Sequence, residues 1–123
     1  RPDAEPGSAG YHWPRARGHI GAYSWTNHTL PWDLHASFAW KWSHPDGQYA
    51  SLTVGVVIDG EENLYLSVQD GIRKFTPGGD VVWEHRFFPP GFNYNSPSLM
   101  DGLLFGSLTD GHVYALNMTS GQE

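Results

Sequence analysis

Residues Asp59–Trp83 read DGEENLYLSVQDGIRKFTPGGDVVW. Leu64–Val68 and Ile72–Phe75 are short apolar runs, and a further one extends from Asp80 to Phe88. Asp59-Gly60, Asp70-Gly71 and Thr76-Pro77-Gly78-Gly79 separate them, and Pro89-Pro90-Gly91 stops the last. Glycine accepts left-handed backbone, aspartate bonds its own turn, and proline presets φ, so these clusters are turns. Connections this short demand antiparallel neighbours. With Thr53–Ile58 in front, the stretch predicts four strands.

The same order recurs downstream. Leu99-Met100 with Asp101-Gly102 matches the Ile58 region with Asp59-Gly60, and Leu103–Leu108 matches Leu64–Val68. Asp110-Gly111 matches Asp70-Gly71, Val113–Leu116 matches Ile72–Phe75, and Thr119-Ser120-Gly121 matches Pro77-Gly78-Gly79. Upstream, Trp40-Lys41-Trp42-Ser43-His44 lies over Val81-Val82-Trp83-Glu84-His85, which makes Trp42 the counterpart of Trp83 and His44 that of His85. A period of about 40 residues with four strands per unit is the sequence pattern of a propeller blade.

Composition agrees. Fifteen glycines, nine prolines and 15% aromatics among 123 residues favour turns and strands over long helices. A net charge of −6 argues against a nucleic-acid footprint and a polybasic membrane anchor. No run approaches the roughly 18 apolar residues of a transmembrane helix, so a soluble or peripheral chain is expected. The absence of cysteine excludes disulfides and thiolate chemistry, and leaves the compartment unread. An initial arginine points to a processed product or part of a longer protein.

Residues 1–10 read as a flexible arm. Tyr11–Leu34 carries Trp13, Trp25 and Trp32 without a period of 2 or 3.6, and predicts an irregular segment pinned to a larger body by its rings. From Ser37, Phe38, Trp40 and Trp42 alternate with small or polar residues, which predicts a strand over 37–44. Gly18-His19 and Trp32-Asp33 suggest a WD repeat. Their spacing is too short for the intervening strands, and that assignment is rejected.

Asp110-Gly111-His112-Val113-Tyr114-Ala115-Leu116-Asn117-Met118-Thr119-Ser120-Gly121 resembles the tryptophan-docking repeat of the PQQ-like (quinoprotein-like) β-propellers. The earlier copy is looser: Gly79 and Trp83 fit, while Lys74 replaces the alanine. Trp13–Gly18 resembles the lead-in to a first blade of that family. The resemblance implies structural roles for Trp42, Trp83, Gly79, Gly121, Ala115 and Tyr114, each tryptophan stacking on a glycine turn of the next blade. It also implies that no blade buries its faces alone. The expected fold is all-β: an irregular lead-in over 1–36, then an incomplete propeller over 37–123. That propeller has an outer strand at 37–44, one blade at 53–88 and a partial blade at 97–123, about one and three-quarter blades in all. A closed ring needs on the order of 160 residues, so other chains or further blades of the same protein are the expected partners.

Reactive constellations are sparse. Quinoproteins of this family hold a quinone and a metal ion with acids and an asparagine, and none of those motifs can be placed here. Asp59, Asp70, Asp101 and Asp110 each sit in a glycine turn and read as turn formers. Seven histidines show no metal-ligand spacing. No catalytic, cofactor or metal residue is assigned. Asn27-His28-Thr29 and Asn117-Met118-Thr119 match the glycosylation triplet, which matters only in a secreted chain. The leading expectation is a non-catalytic assembly or scaffold segment, with Trp13, Trp25 and Trp32 as partner contacts. One alternative is the N-terminal fragment of a quinoprotein-type oxidoreductase whose site lies beyond Glu123. Another is a module that stacks sugars or pigments on its tryptophans.

Overall fold

The computed structural model describes residues 10–18, 24, 26, 28–47, 55–89 and 91–123. They form two antiparallel sheets and no helix. The first sheet has the order β1 (Val57–Ile58), β2 (Leu64–Val68), β3 (Gly71–Phe75), β4 (Val81–Arg86), and the second β5 (Ser98–Met100), β6 (Leu103–Ser107), β7 (Val113–Asn117). Within each sheet consecutive strands pair in sequence order, and neither sheet closes on itself. The residues at 53 and 54, expected to begin the first blade, lie outside the described residues.

Local chemistry explains the hairpins. Asp101 and Gly102 both take left-handed backbone, with φ of 51° and 77°, as the two-residue turn between β5 and β6 requires. Gln69-Asp70 joins β2 to β3, with Val68 opposite Gly71. At the β3–β4 turn the Gly79 N–H donates to Thr76 O, and Gly79 adopts a φ of 93° that alanine would resist.

The sheets meet face to face. Val57, Tyr65 and Ile72 from the first pack with Leu99, Leu104, Tyr114 and Leu116 from the second, with Trp83 and Phe87 at the margin. β3 is buried on both sides, although it carries Arg73 and Lys74. The loop before β5 threads the junction. Buried Asn93 donates to Ser67 Oγ (2.7 Å) and accepts from the Tyr114 hydroxyl (3.2 Å), so one amide ties the sheets and the loop together.

Gly106 lies beneath that hydroxyl, and an added Cβ would collide with the Tyr114 ring. Gly106→Ala is therefore expected to cost about 1–3 kcal/mol. A urea midpoint unchanged from the parent would show that the tyrosine moves aside freely.

The strand expected at 37–44 does not form: among the described residues the segment has no ladder partner. Its alternation survives. Trp40, Trp42 and His44 turn toward the first sheet, while Ala39, Lys41 and Ser43 are exposed. The aromatic lead-in behaves in two ways. Trp13 exchanges backbone hydrogen bonds with Ile58 (2.9 and 2.7 Å), and Pro14 O accepts from Leu99 N–H, so this stretch spans the β1 and β5 edges. By contrast Leu30, Trp32, Leu34 and Phe38 are exposed, Trp32 completely at 104%.

Candidate functional site

The features that could act on another molecule lie on both faces of the first sheet, one toward the second sheet and one toward the Trp40 segment. Trp83 projects from β4 onto the second sheet. Its ring covers Gly121, whose added Cβ would stand 2.6 Å from the indole, and its Nε1 donates to Met118 O at 3.0 Å. One unit earlier, the Trp40 ring covers Gly79 with the same 2.6 Å approach, and its Nε1 donates to Pro77 O at 2.9 Å. Gly121 and Gly79 are both left-handed, with φ of 72° and 93°. Absence of a side chain thus permits both the turn and the ring contact.

The counterpart of Trp83 is therefore Trp40, not Trp42. Trp42 meets Phe75 edge-on at 5.8 Å and lies over the Arg73 guanidinium at 5.1 Å. The histidine equivalence shifts with it: His44 bonds Asp70, whereas His85 Nδ1 approaches Gly121 O at 3.0 Å. Ala115 is half-buried opposite Phe105, and Tyr114 is buried, its ring 4.5 Å from Phe87.

Arg73, only 1% exposed, is the most deeply buried charge among the described residues. Its guanidinium donates twice to Asp70 (3.0 Å each), and its Nε to Glu84 (2.7 Å). His44 Nδ1 accepts from Asp46 N–H, which leaves Nε2–H to donate to Asp70 at 3.1 Å. Partial burial pushes the Asp70 carboxyl up, but hydrogen bonds from Arg73 and His44 and the Arg73 charge outweigh it and hold the pKa at about 2. An unfolded aspartate titrates near 3.9. The folded value is depressed, so this contribution is complete above about pH 4 and fades between about pH 4 and 2. With Asp70 22% exposed, the loss is on the order of 2 kcal/mol. Thermal melts from pH 5 to 2 should show it, and Asp70→Asn should flatten that slope. An unaltered slope would exclude Asp70 as its source.

A second polar group lines an open cleft of about 340 Å³, bounded by Tyr11, Asp59, Glu61, Tyr65, Lys74 and Met118 among others. Burial raises the Asp59 pKa, but bonds from the Asn63 side chain and backbone, then Tyr65 and Glu61, more than offset it and hold it low. Burial and the Asp59 carboxylate push the Tyr65 hydroxyl up. Lys74 Nζ donates to Met118 O at 3.0 Å and stands 3.9 Å from Asp59. Lys74, standing where the repeat has alanine, is thus a strut between sheets. The Asp59 and Asp70 carboxylates accept hydrogen bonds from groups inside the fold. Among the described residues no group of three or more His, Asp or Glu could hold a metal ion.

Of the rings expected to meet a partner, Trp32 is free, Trp13 is half-buried against Gly18, and Trp25 lies outside the described residues. Sequence reasoning gives Arg73 and Asn93 no role, and it places Trp40 on a strand and Lys74 at the alanine position without the contacts they make. The turn-former reading of Asp70 leaves out the arginine three residues on and the Glu84 that faces it, which together mark an ion cluster. Among the described residues, no helix is long and apolar enough to cross a membrane. Comparison with known proteins finds no match: no family model, curated sequence or solved structure aligns with the chain.

Proposed function

We propose that this chain is a non-catalytic segment of a PQQ-like β-propeller that serves as an interaction and assembly subunit. The repeated docking of a tryptophan on a left-handed glycine carries this reading, because it joins each unit to the next through one kind of contact. Two further features support it. β7 has no strand on its outer side among the described residues, and unpaired edges invite another strand. Leu30, Trp32, Leu34 and Phe38 expose apolar surface of the kind that marks protein contacts.

The test supplies an edge strand in trans. A synthetic peptide spanning Asp80–Phe88, the chain's own fourth-strand sequence, is titrated onto the 123-residue protein. It should bind and protect the Val113 and Ala115 amides on β7 from exchange. Absence of binding, or protection elsewhere, would overturn the assembly reading. Adding pyrroloquinoline quinone with Ca²⁺ to the same protein tests the oxidoreductase alternative. Binding and substrate-dependent dye reduction would favour the enzyme.

A further inference from the structure

Two edges of this molecule have complementary shapes. The first is the Trp40 segment. Residues Ala39–Ser43 run with a two-residue period, Trp40 and Trp42 toward the first sheet, yet none of their backbone groups bonds another described residue. The second is β7. Met118 N–H donates to Gly102 O and Leu108 N–H to His112 O, which fixes the phase of the ladder. His112, Tyr114 and Leu116 therefore turn their backbone groups toward β6, and Val113 and Ala115 turn theirs outward. The next outward residue, Asn117, already bonds Gln122 O. Val113 is 77% exposed.

In the first sheet the corresponding edges are joined, with Ile72 opposite His85 and Lys74 opposite Trp83. Ala115 stands where Lys74 does, and Trp40 docks as Trp83 does. We infer that β7 of one copy pairs antiparallel with Trp40–Ser43 of a second copy. The register sets Ala115 opposite Trp40, Val113 opposite Trp42, and His112 opposite Ser43. The inference rests on the assembly reading above and names the partner as the chain itself. A symmetric β7–β7 contact would leave the Trp40 segment without a ladder. The head-to-tail contact satisfies both edges and covers Val113. Such a heterologous contact propagates until a ring closes.

The test uses the whole chain, which has no native cysteine. Single variants Ser43→Cys and His112→Cys are oxidised alone and as a mixture. Both sites are exposed, and the register makes them direct neighbours. The mixture should give disulfide dimers containing one of each, and a chain carrying both changes should give multimers. Sedimentation of the unmodified chain should show mass rising above 13.7 kDa with concentration. Val113→Pro, which removes an outward N–H, should reduce that rise at least tenfold in affinity. A chain that stays monomeric and uncrosslinked while still binding the Asp80–Phe88 peptide overturns this inference and leaves the assembly reading standing. Failure of both overturns both. His112→Cys dimers formed alone would indicate the symmetric contact and also overturn it.

Discussion

Trp83→Ala is expected to destabilise the protein by about 3 kcal/mol. Truncating a buried tryptophan costs about 3–5 kcal/mol, and Trp83 is only half-buried, so the low end applies. The change removes the ring over Gly121, its contact with Tyr65 at 5.9 Å and the indole bond to Met118 O. Met118 O keeps the Lys74 ammonium, so no acceptor is orphaned. The main loss is the joint between sheets, and the Gly121 amide should exchange faster than amides in β2. Urea denaturation and amide exchange together check this. A midpoint within about 0.5 kcal/mol of the parent would mean that the ring is not a joint. The parallel pair Trp40→Ala and Trp42→Ala tests which indole docks. Only the first should deprotect Gly79.

Asp70→Ala should cost nearly as much, about 3 kcal/mol, for a different reason. Arg73 is buried, and removing Asp70 takes away the carboxylate that its two terminal nitrogens bond, leaving the guanidinium with Glu84 and the His44 ring. An uncompensated buried charge is expensive, whereas replacing it with an apolar side chain of similar length is often mild. Arg73→Met should therefore cost less, below about 1.5 kcal/mol, since Asp70 is partly exposed and retains His44 and Arg86. The order of the two variants is the informative result. If Arg73→Met were the more damaging, the guanidinium's packing against Trp42 would outweigh its charge.

Strands were legible because turn residues and apolar runs are local signals. Asp70-Gly71 and Asp101-Gly102 mark hairpins whatever surrounds them, and the antiparallel order follows from their length. Pairing between distant pieces is less legible. Phe38, Trp40 and Trp42 alternate, which predicts which side chains share a face, and those of Trp40 and Trp42 do. A ladder also needs a neighbour, and alternation carries no information about one. The choice between Trp40 and Trp42 failed for a related reason. Matching them by the following His44 and His85 favours Trp42. The covered glycine decides between them, and because the later turn contains one more residue between its bonded ends, Asn117 to Gln122 against Thr76 to Asp80, its distance in sequence matches neither tryptophan. Arg73 and Lys74 stayed hidden because charged residues are expected outside, and only cross-strand and cross-sheet partners show how they are accommodated.

The indole that joins two units belongs to one of them, and the glycine beneath it to the other. If the pattern repeats as proposed, each unit offers a plug on one side and a socket on the other. Tandem copying of such a unit would reproduce the same seam at every boundary, with no new contact to invent. Lengthening the array would then be easy, and ending it cleanly would be the harder problem.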